Sequence, residues 1–186
     1  MFNTALLDAL KVLQNKQILL YPTDTVWGLG CDATCDEAVA KIFELKNRVE
    51  SKSLVILVSS LEMLNSYIET IPKKAIHIIT ASEKPTTIIY NNPTRLASNT
   101  IASDNTIAIR IPIHDYCLDL INLFGKPIIS TSANISGEST PKSFSEISLP
   151  ILEGVDYVVN LEQDIITDKS STILKLVGND IEVIRA

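Results

Sequence analysis

The sequence predicts an α/β fold with a twisted, open mixed sheet and flanking helices, and three observations carry that prediction. Short β-prone runs alternate with segments of helical apolar spacing through most of the chain, and helix-starting residues sit between them. The last third changes to closely spaced strands, two of them joined through Gly178-Asn179-Asp180 as a hairpin, which makes the sheet mixed rather than wholly parallel. The chain has 186 residues, 46% of them apolar, enough for one sizeable core. No repeat or low-complexity tract divides it, so residues 1–186 read as one domain.

Each element follows from local chemistry. Phe2, Leu6, Leu10 and Leu13 recur near helical spacing, and Gln17 to Tyr21 is a β-prone run closed by Pro22. Thr34-x-x-Glu37 has the form of a capping box opening a helix with Ala38, Ile42 and Leu45 on its apolar face, ending near Lys46 to Arg48. A strand over Leu54 to Val58 follows, then Ser59-x-x-Glu62 as a second helix start and Pro72 in the first turn of a further helix. A strand ending at Tyr90 precedes the turn Asn91-Asn92-Pro93. Ile107 to Ile111 is a strand, Asp115 caps a helix that Gly125 ends, and Lys126 to Ser130 is the next strand. Val155 to Val159, Ser171 to Val177 and Ile181 to Arg185 complete the sheet.

Charge and cysteine content bound the function. Lys plus Arg is 16 and Asp plus Glu is 22, a net charge of −6, which excludes a globally basic nucleic-acid binder. Any site for a polyanion has to be local. The first residues lack a positive leader segment, and no apolar run reaches membrane-spanning length, so the chain reads as soluble and cytoplasmic, with no membrane partner. Cys31, Cys35 and Cys117 are an odd number without a secretory signal and read as reduced, buried small residues. A zinc site from Cys31 and Cys35 with His77 or His114 lacks a second ligand pair at finger spacing.

Four segments could carry chemistry. Tyr21 to Asp32 places Thr23, Thr25, an aspartate, Gly28 and Gly30 where a strand passes into a loop, a usual ligand position in α/β sheets, although a structured turn explains it too. Neither a dinucleotide fingerprint nor a P-loop is present. Lys46, Arg48 and Lys52 can clamp an anion, or simply complement a helix C-terminus. Arg110 lies inside an apolar strand and needs an anionic partner, either a protein carboxylate or a ligand. Lys126 to Gly137 runs a buried strand into Ser130, Thr131, Ser132, Asn134 and Ser136, a row of donors suited to phosphate or carboxylate oxygens. His77 reads as a core or boundary residue, and Trp27 as a packing residue. No Gly-x-Ser-x-Gly elbow occurs.

Together, PTDTVWGLGCDA, LKNR with Lys52 and SLVILV, IAIRIP and STSANISG resemble the YrdC/TsaC family of threonylcarbamoyl-AMP synthases, in its short single-domain form. The likeness runs from Ile18 to Arg185 and includes the K-x-R…S-x-N signature as Lys46, Arg48, Ser132 and Asn134. It implies a YrdC-like sheet with a deep concave groove. It also implies a nucleotidyltransferase that makes threonylcarbamoyl-AMP and pyrophosphate from L-threonine, bicarbonate and ATP, with Mg2+ accompanying the ATP and no metal ligands from protein side chains. The product would pass to a downstream threonylcarbamoyl transferase complex that modifies A37 of tRNA. Carried over by position, Thr25, Arg110 and Ser171 hold threonine, and Arg48, Lys52, Thr106, Ser130, Ser132, Thr140 and Arg185 contact ATP. Lys46, Arg48, Lys52, Ser132 and Asn134 form the catalytic set.

Three departures from the family pattern stand out. Leu57 replaces a frequent histidine, Ser82-Glu83-Lys84-Pro85-Thr86-Thr87 keeps only the second proline and last threonine of a Trp-Pro-Gly-Pro-x-Thr stretch, and Ser53 replaces a proline. The alternative is a non-catalytic YrdC-like protein that binds RNA or nucleotide. Direct tRNA binding would require Lys46, Arg48, Lys52, Lys84, Arg95 and Arg110 to gather on one face. A related carbamoyl-adenylate chemistry, as in hydrogenase maturation proteins, belongs to longer multidomain chains.

Overall fold

The computed structural model describes residues 4–48, 54–178 and 180–186. In chain order the elements are α1 (Thr4–Gln14), β1 (Leu19–Tyr21), β2 (Gly28–Gly30), α2 (Asp36–Leu45), β3 (Val55–Leu57), α3 (Leu61–Asn65) and α4 (Lys73–Ala81). They continue with β4 (Thr86–Asn91), β5 (Thr106–Arg110), α5 (Asp115–Phe124), β6 (Ile128–Ser132), α6 (Leu149–Gly154), β7 (Tyr157–Val158), β8 (Thr172–Val177) and β9 (Asp180–Arg185). The strands form one sheet in the order β7-β1-β2-β6-β3-β5-β4-β8-β9. The β1–β7, β3–β5 and β4–β8 pairs are parallel and the others antiparallel, so the sheet is mixed, as the hairpin of β8 and β9 requires.

Register decides what each face of the sheet does, because residues paired across strands point to the same side. Leu174, Ile88, Ile109, Ile56 and Ile129 are linked pairwise across five strands and form one aliphatic row. This row packs into the larger core with Ala38, Val39 and Ile42 of α2, Leu64 of α3, Ala75 of α4 and Ile151 of α6. On the opposite face, Leu57, Ile128, Leu19 and Tyr21 pack in a second core with α1 and α5. Beside that patch the same face carries the small residues Gly28, Ser130, Val55 and Ala108. That half of the sheet carries the site.

Local structure corrects several expectations. The Gly28-Leu29-Gly30 run, read as a loop, is strand β2, paired with both β1 and β6. Its glycines have no β propensity, but Gly30 is required by packing: a Cβ there would lie 2.6 Å from Tyr21 Cε1 and 2.9 Å from the Ile129 carbonyl. Without it the Tyr21 ring crosses β2, and its hydroxyl donates to the Ile129 carbonyl at 3.0 Å. The capping box at Thr34 does not form, because the Thr34 hydroxyl bonds Asp32 at 2.6 Å and Glu37 pairs with Lys16 at 3.0 Å; Cys35 occupies the N-cap. The cap of α3 is Ser60 rather than Ser59, accepting from Met63 N–H at 3.1 Å. At α5 the cap is His114, whose Nδ1 accepts from Cys117 N–H at 3.4 Å, and Asp115 is the first helical residue. Gly125 ends α5 at φ +73°, as expected. Pro72 is the N-cap of α4. Helix α6 carried no sequence signal that was read as a helix. His77 is exposed, not a core or boundary residue. Cys31 and Cys117 are buried, and Cys35 is partly so.

Candidate active site

A cavity of about 300 Å³ opens on the small-residue half of the sheet. Its floor comes from Val55, Gly28, Ser130 and Ser132, and one end from Thr25, Val26, Trp27 and Arg110. Thr140, Lys142, Asp168 to Ser171 and Arg185 complete the lining, with Lys142 Nζ 3.7 Å from Asp168 Oδ2. The lining therefore mixes hydroxyl donors, four cations and one tryptophan, a surface suited to an anionic ligand with an apolar part.

Arg110 is placed by strand β5, on the same side as Thr106 and Ala108. Its guanidinium is buried and donates from Nη1 to Asp24 Oδ1 and from Nη2 to Thr25 Oγ1 at 3.1 Å. Of the two partners expected for this arginine, a protein carboxylate is present, and it is Asp24. Thr25 is fixed from below. Its N–H donates to Thr23 Oγ1 at 3.0 Å, and Thr23 Oγ1 donates to the Val26 carbonyl at 2.8 Å. With the Thr23 proton so used, the 2.9 Å contact between the two hydroxyls has Thr25 as donor, which leaves its oxygen to accept from Arg110.

Ser171 is equally tied. Thr87, fully buried on β4, donates to Ser171 Oγ at 2.9 Å. Arg185 reaches the Ser171 carbonyl from Nε at 3.1 Å and from Nη2 at 2.7 Å. Ser171 Oγ accepts from Thr87 and, at 3.4 Å, from Arg185 Nη2, so its own proton is directed elsewhere. Thr87 is the threonine retained from the departed stretch, and it is connected to Ser171, the residue expected to hold threonine.

The signature residues have a different geometry from the one expected. Lys46 is 1% exposed, and its ammonium donates to the Ser132 carbonyl and, at 2.6 Å, to the Asn134 carbonyl. The Lys46 carbonyl in turn accepts from Ser136 N–H at 2.8 Å. Lys46 thus clasps the loop after β6 and does not line the cavity. Burial, with some contribution from the Arg48 cation, pushes its pKa down to about 8. Arg48 is half-buried just beyond α2, and burial lowers its pKa too. Asn134 donates to the Ile135 and Glu138 carbonyls at 2.9 and 3.0 Å, and its buried Oδ1 has no hydrogen-bond partner.

Of the residues singled out from sequence, Thr25, Arg110, Ser130, Ser132, Thr140, Ser171 and Arg185 meet at the cavity. Lys46, Arg48, Asn134 and Thr106 are not in its lining. Thr106 donates to Asp104 at 2.6 Å, and that carboxylate pairs with Lys175 at 3.3 Å. Lys52 and Ser53 lie outside the described residues. Leu57 is a fully buried member of the second core, paired in register with Arg110. Trp27 packs, as expected, with its ring 5.0 Å from that of Phe144, and it also lines the cavity. Lys142, Lys169 and Asp168 were missed: they lie in loops with no periodicity, and only tertiary structure brings them to the site. Of the six cations whose gathering an RNA face would require, Lys46 and Arg110 are buried, and Lys52 lies outside the described residues. Among the described residues, no group of three or more His, Cys, Asp or Glu side chains could hold a metal ion, and no helix is long and apolar enough to cross a membrane.

Residues 11–186 match the model of the Sua5/YciO/YrdC family, whose description reads telomere recombination. The chain belongs to this family. Among relatives of the Sua5/YciO/YrdC family, the threonylcarbamoyl-AMP synthase of Hahella chejuensis is 33% identical over 80% of this chain and 82% of its own length. The synthase of Yersinia enterocolitica is 31% identical over 81% and 84%. Among solved structures, P. abyssi Sua5 complexed with L-threonine superposes with a TM-score of 0.88 at 27% identity, covering 97% of this chain. The chain spans about half of that protein, 53% of its length. E. coli YciO, at 20% identity and a TM-score of 0.83, shares the fold of the Sua5/YciO/YrdC family over 97% of this chain and 87% of its own.

Proposed function

We infer that this chain is a threonylcarbamoyl-AMP synthase, joining L-threonine, bicarbonate and ATP into threonylcarbamoyl-AMP with release of pyrophosphate. The observation that carries this reading is a single cavity with a fixed guanidinium at one end and serine, threonine and arginine donors along its walls, in a chain related to synthases of that name. Arg110, held by Thr25, suits the threonine carboxylate, and Ser171 has a hydroxyl proton to offer.

In the proposed reaction the threonine amine adds to CO2 derived from bicarbonate and forms a carbamate. A carbamate oxygen then attacks the α-phosphorus of ATP, a new P–O bond forms, and the bond to pyrophosphate breaks. Two anions have to approach each other, so fixed cations and donors supply most of the catalysis by positioning and by offsetting charge. Ser130, Ser132, Thr140 and Arg185 line the cavity and suit contact with the nucleotide, while the family resemblance is what assigns Arg48 and Lys52 to its phosphates. Asn134 braces the loop after β6 by donating to the Ile135 and Glu138 carbonyls. Lys46 holds the Ser132 to Asn134 loop that presents these groups. Mg2+ belongs to the substrate, bound to the ATP phosphates and neutralising them. The product is an activated mixed anhydride, suited to a downstream transferase that passes the threonylcarbamoyl group to A37 of tRNA.

The test is pyrophosphate release from ATP and Mg2+, with threonine and bicarbonate each omitted in turn. Release that needs both is expected. ATP left untouched, or consumed without threonine, overturns the assignment.

A further inference from the structure

The geometry points to Asp24 as a positioning residue that sets the guanidinium of Arg110 for the carboxylate of the amino-acid substrate. This rests on the reading of Arg110 as the carboxylate anchor. The Asp24 side chain is 5% exposed and that of Arg110 is 4%, so each ion depends on the other rather than on water. Both oxygens of Asp24 are used. Oδ1 accepts from Arg110 Nη1, and Oδ2 accepts from Ile113 N–H at 3.0 Å. A carboxylate engaged in this way is not placed to take a proton from the substrate amine, which separates it from a general base.

The second terminal nitrogen of Arg110 goes to Thr25, the next residue of the same turn. Two adjacent residues therefore hold two different nitrogens of one planar group, and this fixes the plane of the guanidinium as well as its location. Two contacts use only part of a five-donor fork, so N–H groups remain for a ligand. The bond from Ile113 N–H adds a second constraint. Asp24, in the turn between β1 and β2, is tied to the backbone just after β5, the strand that carries Arg110. One side chain thus joins the two segments that carry Thr25 and Arg110 to the cavity.

A neighbouring carboxylate cancels the net charge offered to a substrate anion, so it does not increase raw attraction. What it supplies is orientation. A bidentate carboxylate contact needs the fork held in one plane, and an arginine free to rotate loses part of that contact.

The deciding experiment uses the full chain and Asp24→Asn, with steady-state pyrophosphate release and threonine titration followed by the fluorescence of Trp27, the one tryptophan of the sequence and a cavity residue. The KM and Kd for threonine are expected to rise at least about tenfold while the KM for ATP stays within about twofold. Unchanged threonine affinity overturns the proposal. So does tighter threonine binding, which would make Asp24 a damper of charge instead. Should the variant not fold, side-chain nitrogen NMR of the unaltered protein decides, since the sequence has four arginines. One guanidinium with slow rotation and resolved Nη protons before threonine is added is expected, and free rotation of all four overturns the proposal. If the unaltered protein shows no threonine-dependent pyrophosphate release, the functional reading fails by itself, and the NMR result still reports on the Asp24–Arg110 pair.

Discussion

The Thr87 hydroxyl donates to Ser171 Oγ across 2.9 Å, joining the middle of the sheet to the cavity wall through two buried side chains. Thr87→Val keeps the shape and removes the donor. It is expected to lower stability by about 1 kcal/mol and to raise the KM for threonine severalfold, with the KM for ATP unchanged. Steady-state kinetics with each substrate varied in turn checks this, and equal changes in both KM values would refute the coupling.

Gly30 leaves room for the Tyr21 ring, and no small residue with a Cβ can do the same. Gly30→Ala is expected to cost about 2–3 kcal/mol in urea unfolding, because the added carbon meets both a ring and a backbone carbonyl. At Gly28 the same change meets Ser130 Oγ at 3.2 Å and Thr23 Cγ2 at 3.5 Å. Gly28→Ala should therefore disturb substrate affinity more than stability. Equal stability losses at the two positions would contradict the packing account.

Lys46 has a pKa of about 8 in the folded chain against an ordinary 10.5 when unfolded. Between these values the unfolded chain holds a proton that the folded chain has lost, so this group makes stability rise with pH across that window. Below about pH 8 both states are charged, and the folded one bears the burial cost, offset in part by the Ser132 and Asn134 carbonyls. Relative to Lys46→Met, the unaltered protein should gain stability between pH 8 and 10.5, on the order of 3 kcal/mol at most. Urea melts of both proteins at several pH values measure the difference, and a decline would reverse the assigned sign.

Arg48 keeps its charge despite burial and stands at the end of α2 near the signature loop. Arg48→Ala is expected to lower kcat/KM by about 10²- to 10³-fold, the scale of losing one preorganised charge contact. Pyrophosphate release at the unaltered rate would remove Arg48 from the reaction.

Much of this molecule is legible in its sequence because burial writes itself into periodicity. The row from Leu174 to Ile129 consists of five β-prone residues, each at the centre of a strand visible beforehand. The misses share a cause, namely that a distant partner outbids a local one. Thr34 and Glu37 have capping-box spacing, yet Asp32 and Lys16 take their side chains. Gly28 and Gly30 look like a turn, and only the pairing with β1 and β6 shows a strand in which the Tyr21 ring requires Gly30. Arg110 announced that it needed an anion, but nothing in the spacing said that the anion stands at Asp24. Lys142 and Lys169 were invisible because loops leave no period to read.

The sheet order puts β7 at one edge and β8 next to the other, so the segment 159–171 must traverse the open face, roughly 34 Å at the usual strand spacing. That segment delivers Asp168 to Ser171, and β9 delivers Arg185. On a ribosome, Arg110, Ser130 and Thr140 emerge well before either. A nascent chain can bury Ile88, Ile109, Ile56 and Ile129 against α2 while β4 still shows a bare edge and the cavity lacks Asp168 to Ser171 and Arg185. Substrate affinity is therefore acquired at the end of synthesis, and a chain cut before β8 would be largely folded and unable to bind.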